Sequence, residues 1–188
     1  MRRFMASMLV VTGALSTPAV AQERGPAWTL GLSATVGEGW QMEGGEIGTV
    51  RNIALGPIRH ISLTGRFGSF QDEGAAFFGG DGFIFGLALG LTTKPWQIFT
   101  VGAENNPLGV ALDLTFEGAG YLANDSHFPQ GNSWGSVSVL PGVRTVKTGD
   151  FCFSVMMGPT WFLGSETTLR TFLAFHIEVP IGRGPPAP

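Results

Sequence analysis

Cysteine, charge and long apolar segments are all scarce in this sequence of 188 residues. Cys152 is the only cysteine, so a disulfide framework is excluded and stability must come from burial or from lipid. Charged residues make up 13% of the chain, about half of their usual share in soluble domains. The longest apolar run after the N-terminal segment is residues 83–91, which is far too short for a membrane-spanning helix.

The N-terminal segment has the three-part layout of a secretory signal peptide. A basic pair, an apolar stretch and a small-residue cleavage site follow one another in residues 1–21, and the apolar stretch is too short for a membrane anchor. We therefore expect residues 1–21 to be removed and the mature chain to begin at Gln22. Losing the two signal-peptide arginines would leave nine basic residues against 14 acidic ones. An acidic chain without a basic run argues against a nucleic-acid partner.

Residues 167–179 show the clearest alternation in the chain. Their odd positions are almost wholly apolar, whereas their even positions include Arg170, His176 and Glu178. Strict alternation over this length predicts a β-strand, because successive side chains point to opposite faces. The pattern recurs along the chain, and no amphipathic helix is indicated. The nine strand candidates are residues 28–36, 49–55, 59–67, 83–92, 96–102, 108–117, 134–146, 151–157 and 167–179.

The predicted fold is all-β, an antiparallel up-and-down β-barrel of eight strands, with ten strands as the alternative. Nine candidates are one too many, because a membrane barrel of one bacterial chain has an even strand count. Either residues 49–67 are one strand bent at Gly56-Pro57, or residues 96–102 belong to a longer irregular segment. We expect one barrel domain over residues 22–182 and a disordered tail over residues 183–188.

The stretches between the candidates are predicted to be turns and loops. The long polar loops are residues 38–48, 68–82 and 118–132, and the remaining connections are tight. Aromatic residues near the strand ends resemble the interfacial girdles of membrane barrels, with core packing as the alternative. These aromatics are Trp28, Trp40, Phe67, Trp96, Phe116, Tyr121, Trp134, Phe151, Trp161 and Phe162.

The alternation does not by itself say which face of each strand points inward. A soluble lipocalin-like barrel is apolar inside, whereas a membrane barrel is apolar outside. The polar face here is sparse and rich in Gly, Ala, Ser and Thr, which favours a crowded barrel interior over a solvated surface.

By this pattern the chain resembles the small outer-membrane β-barrel proteins, the OmpA-like and OmpW-like group, over residues 27–181. The resemblance implies an eight-stranded barrel that the outer-membrane assembly machinery inserts into lipid. Members of the group usually end in an aromatic residue on the last strand. Here Phe175 is on that strand, which continues to Val179, Pro180 and Ile181.

Motifs for catalysis, phosphate binding or zinc binding are not present. Ser126 and His127 with Asp125 suggest a lipid-modifying enzyme, but adjacent loop residues rarely converge as a nucleophile and its base. Residues 79–82 contain one carboxylate, too few for a calcium site. We expect no metal site and no cofactor.

The charged positions of the predicted inner face form a candidate interior cluster. Such a set is either an ion pathway or a salt-bridged plug, and the narrow interior of an eight-stranded barrel favours the plug. The cluster comprises His60, Arg66, Asp113, Glu117, Arg144, Arg170, His176 and Glu178.

These features favour a non-enzymatic outer-membrane barrel with a structural or surface-interaction role, lipid as its surroundings, and a monomeric state. Two alternatives stay open. One is a periplasmic or secreted lipocalin-like barrel with a hydrophobic ligand, and the other is a lipid-modifying barrel enzyme.

Overall fold

The computed structural model describes residues 26–71, 80, 82–101, 108–124, 129–146 and 151–181. These residues form nine β-strands, and within them no helix is long and apolar enough to cross a membrane. The signal peptide over residues 1–21, the Ser126-His127 pair, Asp81 and the tail over residues 183–188 lie outside the described residues. The strands are β1 (Ala27–Val36), β2 (Gln41–Leu55), β3 (Ile58–Gln71), β4 (Gly82–Thr93), β5 (Trp96–Val101), β6 (Leu108–Ala123), β7 (Ser133–Val146), β8 (Cys152–Leu163) and β9 (Thr167–Pro180).

Eight of the strands close into an antiparallel barrel, in the order β1, β2, β3, β4, β6, β7, β8 and β9. The circle closes because β1 pairs with β9 while β4 pairs with β6. The short strand β5 pairs with the first part of β6, in line with β4, which pairs with the last part. The predicted eight-stranded up-and-down barrel is therefore confirmed, with β5 as an extra strand.

The stagger of the barrel can be followed along one row of paired residues. The row starts at Ala27 on β1, passes through all eight strands of the circle, and reaches Arg170 on β9. Because Thr171 pairs with Val36, Arg170 is level with Gly37, so the row returns to β1 at position 37. Moving from position 27 to position 37 is a stagger of ten residues, for which eight strands tilt by about 40–45° and enclose a lumen that side chains can fill. The row contains Ala27, Val50, Ser62, Gly90, Glu117, Ser138, Thr160 and Arg170.

The sequence leaves two explanations for the odd number of strand candidates, and the structure treats them differently. The prediction of a single bent strand over residues 49–67 is wrong, because Gly56-Pro57 is a turn between two antiparallel strands. Gly56 has φ of 58°, a left-handed conformation that glycine adopts at little cost. Assigning residues 96–102 to a longer irregular piece was closer, because β5 continues the line of β4 after a break at Lys94-Pro95.

The predicted loop over residues 38–48 is also wrong, because β2 already begins at Gln41. Glycines are needed where the backbones of β2 and β3 come close to each other. A Cβ on Gly44 would lie 2.2 Å from the carbonyl oxygen of Phe67, and a Cβ on Gly68 would lie 2.0 Å from that of Glu43. Likewise β3 and β6 extend into residues 68–82 and 118–132, so these two loops are shorter than predicted.

The burial pattern resolves which face of the strands points inward. Along β8 and most of β9, buried and exposed residues alternate one by one. In these two strands all the charged residues are buried, together with small residues and with Met156, Phe162 and Phe172, whereas the exposed positions are mostly apolar. The apolar side chains exposed on the outer face include Leu30, Leu32, Ile47, Leu63, Phe67, Phe85, Leu87, Leu89, Phe116, Val137, Val155, Met157, Leu169, Leu173 and Phe175.

Candidate functional site: the barrel interior

The barrel interior is layered between two different ends. We call the end with the β1–β2, β3–β4, β6–β7 and β8–β9 connections the loop end. The other end, with the start of β1 and the end of β9, is the terminal end. Along β9 the inward residues from the loop end to the terminal end are Arg170, Phe172, Ala174, His176 and Glu178.

Buried aromatic and apolar side chains fill the interior at the loop end. Trp40 meets Phe162 edge to face at 5.1 Å, and Tyr121 stacks on Trp134 at 5.6 Å. The Arg170 guanidinium lies 4.6 Å from the centre of the Trp40 ring, which is a cation–π geometry. We call the buried aromatic and apolar side chains at this end the aromatic cluster. It comprises Trp40, Met42, Phe70, Ile84, Tyr121, Trp134 and Phe162.

Below the aromatic cluster, Arg66 is the centre of a buried charge network. Its Nε lies 2.6 Å from Glu46 Oε1, and its two Nη atoms each lie 2.8 Å from an oxygen of Glu117. Nη1 also donates to the Tyr121 hydroxyl at 2.7 Å, and His176 Nε2 lies 2.5 Å from Glu46 Oε2. This central charge cluster joins β2, β3, β6 and β9 across the lumen.

A second ion-pair group lies nearer the terminal end. Arg144 Nε is 2.5 Å from Asp113 Oδ2, and Arg144 Nη2 is 3.2 Å from Glu178 Oε1. We call these three residues the terminal charge cluster. They join β6, β7 and β9. Between the two clusters is a small cavity whose walls include hydroxyl side chains, and such a site suits ordered water. Its hydroxyl-bearing residues include Thr29, Ser62, Thr64, Thr92, Thr115 and Ser154.

Glycines on neighbouring strands make room for these contacts. Gly86 lies opposite both Arg66 and Tyr121 in the sheet, and a Cβ there would lie 2.6 Å from the Tyr121 ring. Gly31 lies opposite both Glu46 and His176, and a Cβ there would lie 2.3 Å from the His176 ring. In each case the missing side chain lets residues on strands two apart reach one another.

The structure places the eight predicted interior residues on the inner face, and seven of them belong to three layers. Seven are buried, and His60 is half-buried near the β2–β3 turn. Arg66, Glu117 and His176 meet in the central cluster; Asp113, Arg144 and Glu178 form the terminal cluster; and Arg170 packs on the aromatic cluster.

Sequence reasoning missed Glu46 and Tyr121 as interior polar residues. The sequence prediction puts both residues in loops, because glycines surround them. A usable signal was the alternation of Met42, Gly44, Glu46 and Gly48, which continues the inner face of β2. The girdle interpretation also fails for four aromatics, which lie in the interior as part of the aromatic cluster: Trp40, Tyr121, Trp134 and Phe162.

The interior combines opposite charges in close pairs. Arg66, Arg144 and Arg170 carry three positive charges, and four buried carboxylates face the same space: Glu46, Asp113, Glu117 and Glu178. Within the described part of the chain, no group of three or more His, Cys, Asp or Glu side chains is arranged to hold a metal ion.

Comparisons of the chain with protein-family models, with curated proteins and with solved structures found no match.

Proposed function

We propose that this chain is a membrane-spanning barrel of a bacterial outer membrane, with a structural or surface-interaction role and a closed lumen. The observation that carries the proposal is the distribution of side chains between the two faces. Charged residues of the strands are concentrated in the buried interior, whereas apolar side chains cover the outer face. A barrel in lipid requires this arrangement, and a barrel in water requires the reverse.

The strand lengths support a membrane location. Strands of a membrane barrel need about 9–11 residues when tilted, and β4 and β8 have 12 residues each. At the tilt expected for this stagger, 12 residues rise about 29 Å along the barrel axis, close to the roughly 25 Å apolar band of such proteins.

The interior weighs against a lipocalin-like carrier of hydrophobic ligands. Such a carrier needs an apolar cavity. Here Arg66, Glu46 and Glu117 cross the middle of the lumen, and the cavity on the terminal side of them has charged and hydroxyl-bearing walls. The other cavity beside them includes Met42, Ile84 and Phe172 in its walls, but Arg66 lines it as well. The closed lumen is proposed on the same contacts, since ion pairs join opposite walls and leave little space for solutes.

The connections favour one orientation in the membrane. The two longest, residues 72–81 and 124–132, are at the loop end, and the β2–β3 turn at the terminal end has two residues. Outer-membrane barrels have long extracellular loops and short periplasmic turns, so we place the loop end outside the cell. Insertion by the outer-membrane assembly machinery is what the resemblance implies. A monomer is expected because each of the eight strands in the circle has two neighbours, so that among the described strands only the short β5 has a free edge.

Fractionation of cells that produce the full chain tests this proposal. The protein should sediment with outer membranes, resist carbonate extraction, and migrate differently on gels with and without heating. Its mature N-terminus, read by mass spectrometry, should be Gln22. Recovery of the folded protein in the soluble periplasmic fraction would contradict the proposal and favour the lipocalin-like alternative.

A further inference from the structure

Among the residues that the structure describes, the basic side chains outside the lumen are gathered in one place. The described part of the chain contains six Arg and Lys residues, and three of them are buried inside the barrel. The other three are Arg51 near the end of β2, Arg59 near the start of β3, and Lys94 directly after β4. Arg51 and Lys94 are exposed, and Arg59 is half-buried. We call these three residues the basic corner.

The sheet register brings the basic corner together at the terminal end. Arg51 is paired with Ile61, which alternates with the inward residue Ser62, so Arg51 lies on the outer face. Arg59 is two residues before Ile61 on the same strand, at a register shift between Ile58 and His60, and it is half-buried. Ile58 is paired with Thr93, and the Lys94 N–H donates to the Pro57 carbonyl at 2.9 Å. With these spacings the Arg59 side chain starts roughly 8 Å from each of the other two, whereas Arg51 and Lys94, which are two strands apart, start roughly 14 Å from each other. The length of the arginine and lysine side chains lets their charged ends come closer than that.

In the described part of the chain, the acidic residues on the outside are at the opposite end. Among the described residues, the carboxylates outside the lumen are Glu38, Glu43 and Glu166, all close to the loop end. Asp113 and Glu178, in the terminal half, face inward and bind Arg144. The described exterior therefore has a positive corner at the terminal end and negative charge at the loop end.

The basic corner adjoins apolar surface that continues past the end of β4. On β5, Trp96, Phe99 and Val101 share the outer face of β6, because they pair with its outward residues. Trp96 is 76% exposed. Gln97 and Thr100 occupy the other face and bond to each other at 2.6 Å. Cations beside an exposed tryptophan at the edge of an apolar band suit the headgroup region of a bilayer.

We propose that the basic corner binds the phosphate group of an anionic phospholipid in the leaflet at the terminal end. This inference rests on the proposed membrane location. The guanidinium groups of Arg51 and Arg59 offer paired donors to phosphate oxygens, and Lys94 adds a point charge. The acyl chains would lie along the apolar outer face beside Trp96. A zwitterionic phospholipid would bind more weakly, because its own cation opposes the three positive charges.

The test is competition between two lipids for the folded barrel. Purified protein in mixed micelles receives equal amounts of phosphatidylglycerol and phosphatidylcholine, and native mass spectrometry counts each retained lipid. Wild type should retain phosphatidylglycerol in about tenfold excess, since each basic residue near an anionic surface favours binding severalfold. The triple variant Arg51→Gln, Arg59→Gln, Lys94→Gln should fall to within about twofold, and each single variant should lie between.

A matched control removes three charges at the other end. Glu38→Gln, Glu43→Gln, Glu166→Gln should keep the wild-type lipid ratio. A wild-type ratio near one, or an excess that the triple variant retains, would overturn the inference. Full release of phosphatidylglycerol by millimolar inorganic phosphate would also overturn it, because the site would then take a dissolved anion. Heat-dependent gel migration of each protein in vesicles is read in parallel, and a wild type that never inserts would refute the membrane location itself.

Discussion

Replacing Arg66 with methionine should be among the most damaging single changes in this barrel. The side chain forms an ion pair with Glu46 and a two-oxygen ion pair with Glu117, and it donates to Tyr121. Arg66→Met keeps much of the apolar stem but leaves two buried carboxylates without their cation. Breaking a buried ion pair in this way costs about 3–5 kcal/mol. That is a large fraction of the roughly 5–15 kcal/mol by which typical domains are stable.

The assay is urea unfolding of the barrel in lipid vesicles, followed by tryptophan fluorescence. Gly65→Ala is the matched control, because Gly65 precedes Arg66, faces outward, and has no atom closer than 3.6 Å to an added Cβ. It should change stability by less than about 0.5 kcal/mol. The triple variant Arg66→Met, Glu46→Gln, Glu117→Gln should recover part of the loss, since the two carboxylates that lost their cation are no longer charged.

An Arg66→Met protein as stable as wild type would refute the buried network. So would a Gly65→Ala change more damaging than Arg66→Met, because it would indicate that the inner and outer faces are assigned the wrong way round.

Three further results are expected. Wild-type protein in planar bilayers should carry no steady single-channel current, because ion pairs and the aromatic cluster block the lumen; large, stable channels would contradict this. Arg170→Leu should cost about 1–2 kcal/mol in the same unfolding assay through the lost contact with Trp40, while Thr171→Leu on the outer face should be nearly silent. Gly86→Ala should cost about 1–3 kcal/mol by displacing the Tyr121 ring, whereas Gly120→Ala, with nothing within 4 Å of an added Cβ, should be neutral; equal effects would argue against the packing described.

The strands that sequence predicts best are those whose two faces differ most. In β8 and β9 the inward residues include all the charged ones, and the outward residues are mostly apolar, so the period of two is plain. The same contrast in β6 placed Asp113 and Glu117 on one face. Local alternation is sufficient there because each strand has one side toward the lumen and the other toward the outside.

The features that could not be predicted from the sequence are those that depend on contacts between neighbouring strands. Gly44 and Gly45 read as loop residues, yet both are in β2. Position 44 requires a glycine because an added Cβ would lie 2.2 Å from the carbonyl oxygen of Phe67 on β3. Glu46, which follows these glycines, is missed for the same reason. Tyr121 reaches Arg66 only because Gly86, on the strand between, has no side chain. Nor does alternation reveal which face is inside, since that depends on how the sheet closes.

The most direct test of the membrane proposal is the surroundings of β9 measured residue by residue in lipid vesicles. In a Cys152→Ser background, a spin label replaces Leu173, Ala174, Phe175 or His176 in turn. Relaxation by oxygen, which concentrates in lipid, is compared with relaxation by a water-soluble nickel complex. Labels at positions 173 and 175 should be accessible to oxygen and protected from nickel, and labels at positions 174 and 176, where the barrel still folds, should be shielded from both. Free access of the nickel complex to positions 173 and 175 would contradict the account, because the apolar face would then be in water.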